Sequence, residues 1–463
     1  MTQNDAKLQM MRDGKIPAVL WKLGLPTMIG MLVSALYNVV DAYFVGGLGT
    51  SQMGAVSVVF PVVQIIIGLG MTFGSGAASY AARLLGEKKT EEANRTASTA
   101  LFTSLTVGIT AIVFALCFLD NLLLALGATD TILPFARAYA LIYISGSIFN
   151  IFNVTMNNII TAEGAAKLTM TAMLMGAVLN AVLDPIFIYT LGFGIRGAAI
   201  ATVIAQAITS LMYLIYILGR KGYLHFSIRN FSFNKQIYGE IFKIGVPTLV
   251  FQLLSSASMS LTNTAANSYG DSAVAAMGIV TRILAMGTYV IFGYMKGFQP
   301  VAGFNYGAKQ YDRLMESVRV SLKWATTFCV IAAVVMFSFA PSIIGLFSQG
   351  APMVIEIGSA ALRANAVLFT LFGFSSIYMS LFLALGKGKE GSILSMSRQG
   401  IFFIPAILIM PLLLGLNGII YAQPVSDLLT VILTAILSMR INKRIKRLET
   451  VAPNAKPVVE GHK

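Results

Sequence analysis

Two carboxylates stand inside long apolar stretches of this chain. They are Asp41, in Asn38-Val39-Val40-Asp41-Ala42-Tyr43, and Asp184, in Asn180-Ala181-Val182-Leu183-Asp184-Pro185. A charged side chain at the middle of a bilayer costs about 2.5–3.5 kcal/mol even on lenient insertion scales, so an acid deep inside the first apolar helix is expected to have a use. Asn180 and Asp184 are four residues apart and share one helix face, from which both can point at whatever Asp41 faces. With the Thr202 hydroxyl they form a set of two carboxylates, an amide and an alcohol. Burial and mutual repulsion govern the protonation of such a pair, which equips it to take up and release a proton. The same oxygens can instead ligate sodium, since hard cations take oxygen donors. Residue types leave both open, and the plain alternative is that the acids only tie helices together.

Other polar residues surround this set. Tyr37 lies one turn before Asp41 and can offer a ring face to an aromatic or cationic substrate. Asn153 and Asn157 share a face of the fourth apolar helix, where they can line a substrate cavity or serve as glue between helices. Asp427, in the last helix, has Arg282, Lys296 and Arg398 as candidate partners and reads as half of a structural ion pair. Pro26, between Gly24 and Gly30, marks a hinge, because proline removes a backbone hydrogen bond and crowds the preceding turn. The 23 methionines suit a surface that repacks around different ligands. No Gly-rich loop ends in Gly-Lys-Ser or Gly-Lys-Thr, and His225 and His462, the only histidines, belong to no ligand cluster. Neither enzyme chemistry nor a cofactor is expected; the coupling ion is a proton or sodium, and the sequence argues against ATP as the energy source.

The elements that carry these residues must be membrane helices. Of 463 residues 56% are hydrophobic and only 11% are charged, which excludes an ordinary soluble domain. Apolar runs of about 20 residues or more predict twelve helices, six before and six after the polar stretch that follows Gly219. The first run is read as a retained helix, not a signal peptide. A net charge of +14 would fit nucleic acid, but the basic residues fall on one side of the predicted topology. Arg83, Lys88, Lys89, Lys167, Arg220, Lys221, Lys309, Arg313, Lys387 and Lys389 occupy loops that lead from an even to an odd helix. The opposite loops hold only Arg137, Arg196 and Arg363. This bias puts both termini in the cytoplasm and excludes nucleic acid as a partner. Cys117 and Cys329 lie in apolar runs and read as packing residues.

The count of twelve reflects a duplication. Leu20-Trp21-Lys22-Leu23-Gly24-Leu25-Pro26-Thr27 aligns with Ile241-Phe242-Lys243-Ile244-Gly245-Val246-Pro247-Thr248. Gly86 aligns with Gly307 and Gly197 with Gly418, all at an offset of 221. A repeat of six helices keeps its orientation, so the copies are related by an axis along the membrane normal with the pathway between them. Two bundles are expected, residues 1–228 and 229–463. The same offset takes Asp41 to Thr262, Asn180 to Ile401, Asp184 to Pro405 and Thr202 to Gln423, so the acid set exists in the first copy alone.

The chain resembles the multidrug and toxic compound extrusion (MATE) family over nearly all twelve helices. Gly24-Leu25-Pro26, Asn38-Val39-Val40-Asp41, Ala162-Glu163-Gly164, Asn180 with Asp184-Pro185, and the run Gly297-Phe298-Gln299-Pro300-Val301-Ala302-Gly303-Phe304-Asn305-Tyr306-Gly307-Ala308 carry the likeness. It implies an all-α membrane protein of two six-helix bundles in a V, exporting bulky, often cationic drugs in exchange for protons or sodium. It places the cation-coupling site on Asp41, Asn180, Asp184 and Thr202, with Asp41 the most critical and its protonation bending the first helix near Pro26. The family's coupling acids of the seventh and tenth helices have no match here: the seventh has Gln252, Ser255 and Ser256, the tenth only Glu356 near its outer end. The chain therefore looks closer to the branch that couples through its first half, a resemblance that favours protons, with sodium as the alternative. A monomer in the inner membrane, among lipid and small-molecule substrates, is implied. The alternative is a lipid or lipid-linked oligosaccharide flippase of the same superfamily, which would want a cationic cavity for diphosphate. A major-facilitator transporter lacks support, because Arg83-Leu84-Leu85-Gly86-Glu87-Lys88-Lys89 does not carry that fold's loop pattern.

Overall fold

A computed structural model describes residues 9–219, 222–348 and 351–451. Among the described residues, twelve helices are long and apolar enough to cross a membrane. The first six are α1 (Ile16–Gly46), α2 (Thr50–Gly86), α3 (Thr90–Cys117), α4 (Leu133–Ala162), α5 (Ala166–Thr190) and α6 (Ile195–Leu218). The second six are α7 (Lys235–Asn267), α8 (Asp271–Gly307), α9 (Tyr311–Ser338), α10 (Pro352–Ala384), α11 (Gly388–Leu414) and α12 (Leu416–Val451). The number and the six-plus-six split are those the apolar runs predict. Three helices depart from a plain apolar span. Helix α12 runs on through Arg440, Lys443 and Arg447, since basic side chains keep a helix going once it leaves the apolar layer. Helix α5 widens into a π turn over Ile186–Thr190, directly after Pro185, whose missing N–H interrupts the ladder. Helix α11 has a π turn at Ser397–Ile401.

The duplication is visible in the backbone itself. Short helices at Leu119–Ala125 and Ala340–Phe347 occupy equivalent places. Lys88 and Lys309, again 221 apart, both adopt left-handed φ angles, 62° and 58°, in the turns that end α2 and α8. A side chain is strained in that region. Its retention in both copies shows that each turn is held by the same closing bonds, Lys89 N–H to Leu84 carbonyl at 2.9 Å and Gln310 N–H to Asn305 carbonyl at 2.9 Å.

Within the first bundle α2 packs on α4, α1 on α5 and α4 on α6; within the second, α10 packs on α8, α9 and α12. The bundles meet through α1 against α8 and α2 against α7, related pairs under the repeat. Close approach there needs glycine. A β-carbon at Gly297 would lie 2.5 Å from the Gly24 Cα, and one at its repeat equivalent Gly76 would strike the Ile241 backbone. Across the same seam Arg83 pairs with Glu240 at 2.6 Å, and Ser75 donates to Thr248 at 3.3 Å. These contacts cluster at the end that carries the basic even-to-odd loops. Toward the opposite end α1 continues on its own bundle, with Leu36 at 51% exposure.

Pro26 is buried within a continuous α1. It cannot donate to the Lys22 carbonyl, and the Thr27 hydroxyl instead reaches the Leu23 and Gly24 carbonyls, both at 2.9 Å. One expectation needs correction. Asp41 is not at the middle of α1: Gly46 ends the helix five residues later, about 7–8 Å along the axis. The apolar run extends further back toward Ile16 than forward from the acid, and Asp41 is shielded by neighbouring helices instead of by depth alone.

Candidate cation site in the first bundle

Helices α1, α4, α5 and α6 bring the acid set together. Asp184, in the last α-helical turn of α5, is fully buried, and Asn180 one turn earlier is 1% exposed. Thr202 on α6 is 4% exposed; its hydroxyl donates to the Ala198 carbonyl at 3.0 Å and accepts from Asn180 Nδ2 at 3.2 Å. Asp41 is half-buried. Tyr37 lies against Thr202, and Asp184, Tyr37, Tyr139 and Tyr143 are all within electrostatic range of Asp41. An apolar cluster that includes Val45, Val62, Ile144, Ile151 and Ile188 backs the site.

Acceptors outnumber donors here. Both Asp184 oxygens, Asn180 Oδ1 and Gln206 Oε1 are buried and meet no donor in good hydrogen-bond geometry among the described residues, although Asn180 lies beside Asp184 and Tyr143 beside Gln206. Buried polar atoms in native proteins are nearly always paired. A proton on a carboxyl group, a sodium ion or a substrate cation would each supply what these oxygens lack, and the oxygen-only donor set fits a hard cation. Among the described residues no Lys or Arg lies within 4.0 Å of either acid. No group of three or more His, Cys, Asp or Glu residues forms a metal cluster there.

The second bundle is built otherwise. Arg398 Nε lies 2.9 Å from Asp427 Oδ1, Gln423 Nε2 donates to the same oxygen at 2.7 Å, and the guanidinium stacks 4.4 Å above the Phe372 ring. Of the three candidate partners for Asp427, Arg398 is the one in contact. Under the repeat, Asp427 and Gln423 correspond to Gln206 and Thr202. The second copy thus carries its own cation where the first has none.

The remaining expected residues lie around this centre. Asn153 is tied to α6, donating to the Gln206 carbonyl at 2.8 Å and accepting from the Ser210 hydroxyl at 2.9 Å. Asn157, nearer the joined end, donates to the Tyr213 hydroxyl at 3.1 Å and accepts from Lys296 Nζ at 3.0 Å across the seam. Pro26 belongs to the seam itself. Sequence reasoning missed Tyr139, Tyr143 and Gln206. Tyr139 and Tyr143 are four apart on α4 and stack with ring centroids 5.8 Å apart, and Gln206 follows Thr202 by four. One-face spacing was the available signal. Glu163 is fully buried, accepting from the Tyr216 hydroxyl at 2.5 Å and from the Tyr223 and Leu224 N–H groups at 2.8 and 2.9 Å. It pins the segment between the bundles beneath α4 and α6.

Comparison with known proteins agrees with this architecture. The MatE family model matches residues 26–186 and again 247–409, with starts one repeat apart. The multidrug export protein MepA of Staphylococcus aureus (strain MRSA252) is 27% identical over 442 residues, covering 95% of this chain and 97% of its own. A multidrug resistance MATE family transporter of the MOP superfamily, solved in an outward-facing conformation, is 31% identical with a TM-score of 0.90 over 97% of this chain and 99% of that one. A MATE protein solved in a bent conformation is also 31% identical, with a TM-score of 0.88 over 96% of this chain and 98% of that one.

Proposed function

Because the chain belongs to the MATE family, whose members are transporters and not enzymes, we propose that it exports bulky, often cationic drug-like molecules by exchanging them for protons or sodium ions at Asp41 and Asp184. The supporting observation is the unpaired, acceptor-rich site in the first bundle, set against the self-neutralised Arg398–Asp427 pair in the second. Asn180 and Thr202 orient the oxygens of that site, and Tyr37 adds a ring beside them. The flippase reading asks for clustered positive charge to hold a diphosphate, whereas this centre is acidic.

Helix α1 links chemistry to motion. It carries Asp41 near one end and, fifteen residues earlier, Pro26 in the seam, about 22 Å away along the axis. Cation binding at Asp41 removes its charge and lets α1 settle more closely on α4–α6. Pro26, where the ladder lacks a rung, absorbs the change in direction. The seam then parts at the basic end while the other end closes, and substrate enters as the cation leaves. Moving one charge through 100 mV yields about 2.3 kcal/mol, which supports roughly a fifty-fold substrate gradient per charge.

The distribution of basic loops supports cytoplasmic termini; the proposal further takes the protein to act as a monomer among the lipids of the inner membrane, with neither nucleic acid nor a cofactor involved. Export of a fluorescent organic cation from proteoliposomes, under proton and sodium gradients imposed separately, tests the proposal. Transport that responds to neither gradient would overturn it.

A further inference from the structure

Lys296 is a cation inside the membrane with no carboxylate partner among the described residues. Its Nζ donates to the neutral Asn157 side-chain carbonyl at 3.0 Å, and it joins no ion pair. It sits on α8 between Gly293, which packs on Met28, and Gly297, which packs on Gly24. That places it level with Pro26, on the seam and toward its basic end, about 20 Å from Asp41 along α1. Ser79, Asn158, Thr161 and Gln299 line a small space beside it, about 10 Å³, which is room for one water or one oxygen-sized group.

The repeat shows what this position needs if its task is only to hold the seam. Its counterpart in the first copy is Ser75, whose hydroxyl donates across the equivalent seam to Thr248, the repeat partner of Thr27, at 3.3 Å. A hydroxyl suffices there. An ammonium is far more costly to desolvate, and a single hydrogen bond to a neutral amide does not offset that cost. The charge therefore has a use that appears when the seam opens and Lys296 faces the basic, cytoplasmic side.

We propose that Lys296 receives an acidic group of the substrate, a carboxylate or its equivalent, so that this exporter takes acid-bearing, zwitterionic molecules in preference to simple cations. The inference rests on the exporter reading above. A molecule entering from the cytoplasm meets Lys296 before it reaches Asp41, and the two charges are too far apart for one small zwitterion to span. They act in succession. Lys296 attracts the acidic group at entry and repels a bare cation, and the neutral amides and hydroxyls beside it offer the bound acid hydrogen-bonding partners without cancelling the charge.

The test is export of a carboxy-rhodamine and of its methyl ester by the full-length protein in proteoliposomes, for wild type, Lys296→Gln and Lys296→Arg. Gln keeps a donor for Asn157 without the charge, and Arg keeps the charge. The expected result is a preference for the carboxylate dye in wild type, a fall of about tenfold in the carboxylate-to-ester ratio in Lys296→Gln, and a ratio retained in Lys296→Arg. An unchanged ratio in Lys296→Gln, or equal loss of both dyes, overturns the role of Lys296 while leaving the exporter reading intact. If wild type exports neither this pair nor a simple organic cation, the exporter reading falls and this inference with it.

Discussion

Arg398 lies 2.9 Å from Asp427 in the second bundle, so that buried acid is neutralised by a residue of its own bundle. Among the described residues Asp41 and Asp184 have no such neighbour. Identical scaffolds therefore carry opposite electrostatic demands, and the asymmetry yields a first prediction. Replacing Arg398 by Met strands a buried carboxylate and should cost about 3–5 kcal/mol of stability. The double variant Arg398→Met, Asp427→Asn should recover most of it, as read by thermal unfolding in detergent.

Asp184→Asn should separate stability from function. The amide brings N–H donors to a site where Asn180 Oδ1 and Gln206 Oε1 receive none. Thermal stability is expected to hold or rise by about 0.5–1.5 kcal/mol per new hydrogen bond, while gradient-driven export falls at least tenfold. A stability loss comparable to that of the Arg398 variant would mean that the carboxylate is structural.

Closure of the basic end depends on Arg83 and Glu240, 2.6 Å apart and 13% and 21% exposed. Arg83→Ala should remove a charge-assisted bond worth about 1.5–3 kcal/mol and shift the population toward an opened seam. Distances between spin labels placed on the two sides of that end would show it. Adding Glu240→Ala should cause little further shift, because both changes break the same contact across the seam and the second pair of Glu240, with Lys243 at 3.1 Å, lies within α7.

Pro26→Ala restores an N–H to the Lys22 carbonyl and stiffens α1. Export is expected to slow several-fold while cation affinity at Asp41 stays within a factor of two to three, since the acid lies about 22 Å away along α1. Stopped-flow transport and equilibrium binding, measured on one preparation, decide it.

Much of this was legible in the sequence. Apolar length set the twelve helices, the fixed offset set the two copies, and comparison of the copies isolated Asp41, Asn180, Asp184 and Thr202. The depth of Asp41 was misjudged because an apolar run marks where a helix lies but not where its ends fall. Interruptions were hidden as well: no composition signal marks the π turn of α11, and the short helices at Leu119 and Ala340 merge into the apolar runs before them. The choice of Arg398 over Lys296 and Arg282 as the partner of Asp427 is a matter of which faces meet. Pairing between distant helices depends on rotation about each axis, and local spacing does not specify it. The same limit concealed the contact of Lys296 with Asn157, which joins residues of different bundles.

The central claim, that substrate and cation exchange at the acids of the first bundle, is tested most directly by measuring cation release on substrate binding. Purified protein is placed in weakly buffered solution with a pH indicator and, in a parallel sample, loaded with radioactive sodium; an exported drug is then added. Wild type should release protons or sodium in proportion to drug bound, and Asp41→Asn, folded and inserted normally, should release neither. Undiminished release by Asp41→Asn and by Asp184→Asn would contradict the account.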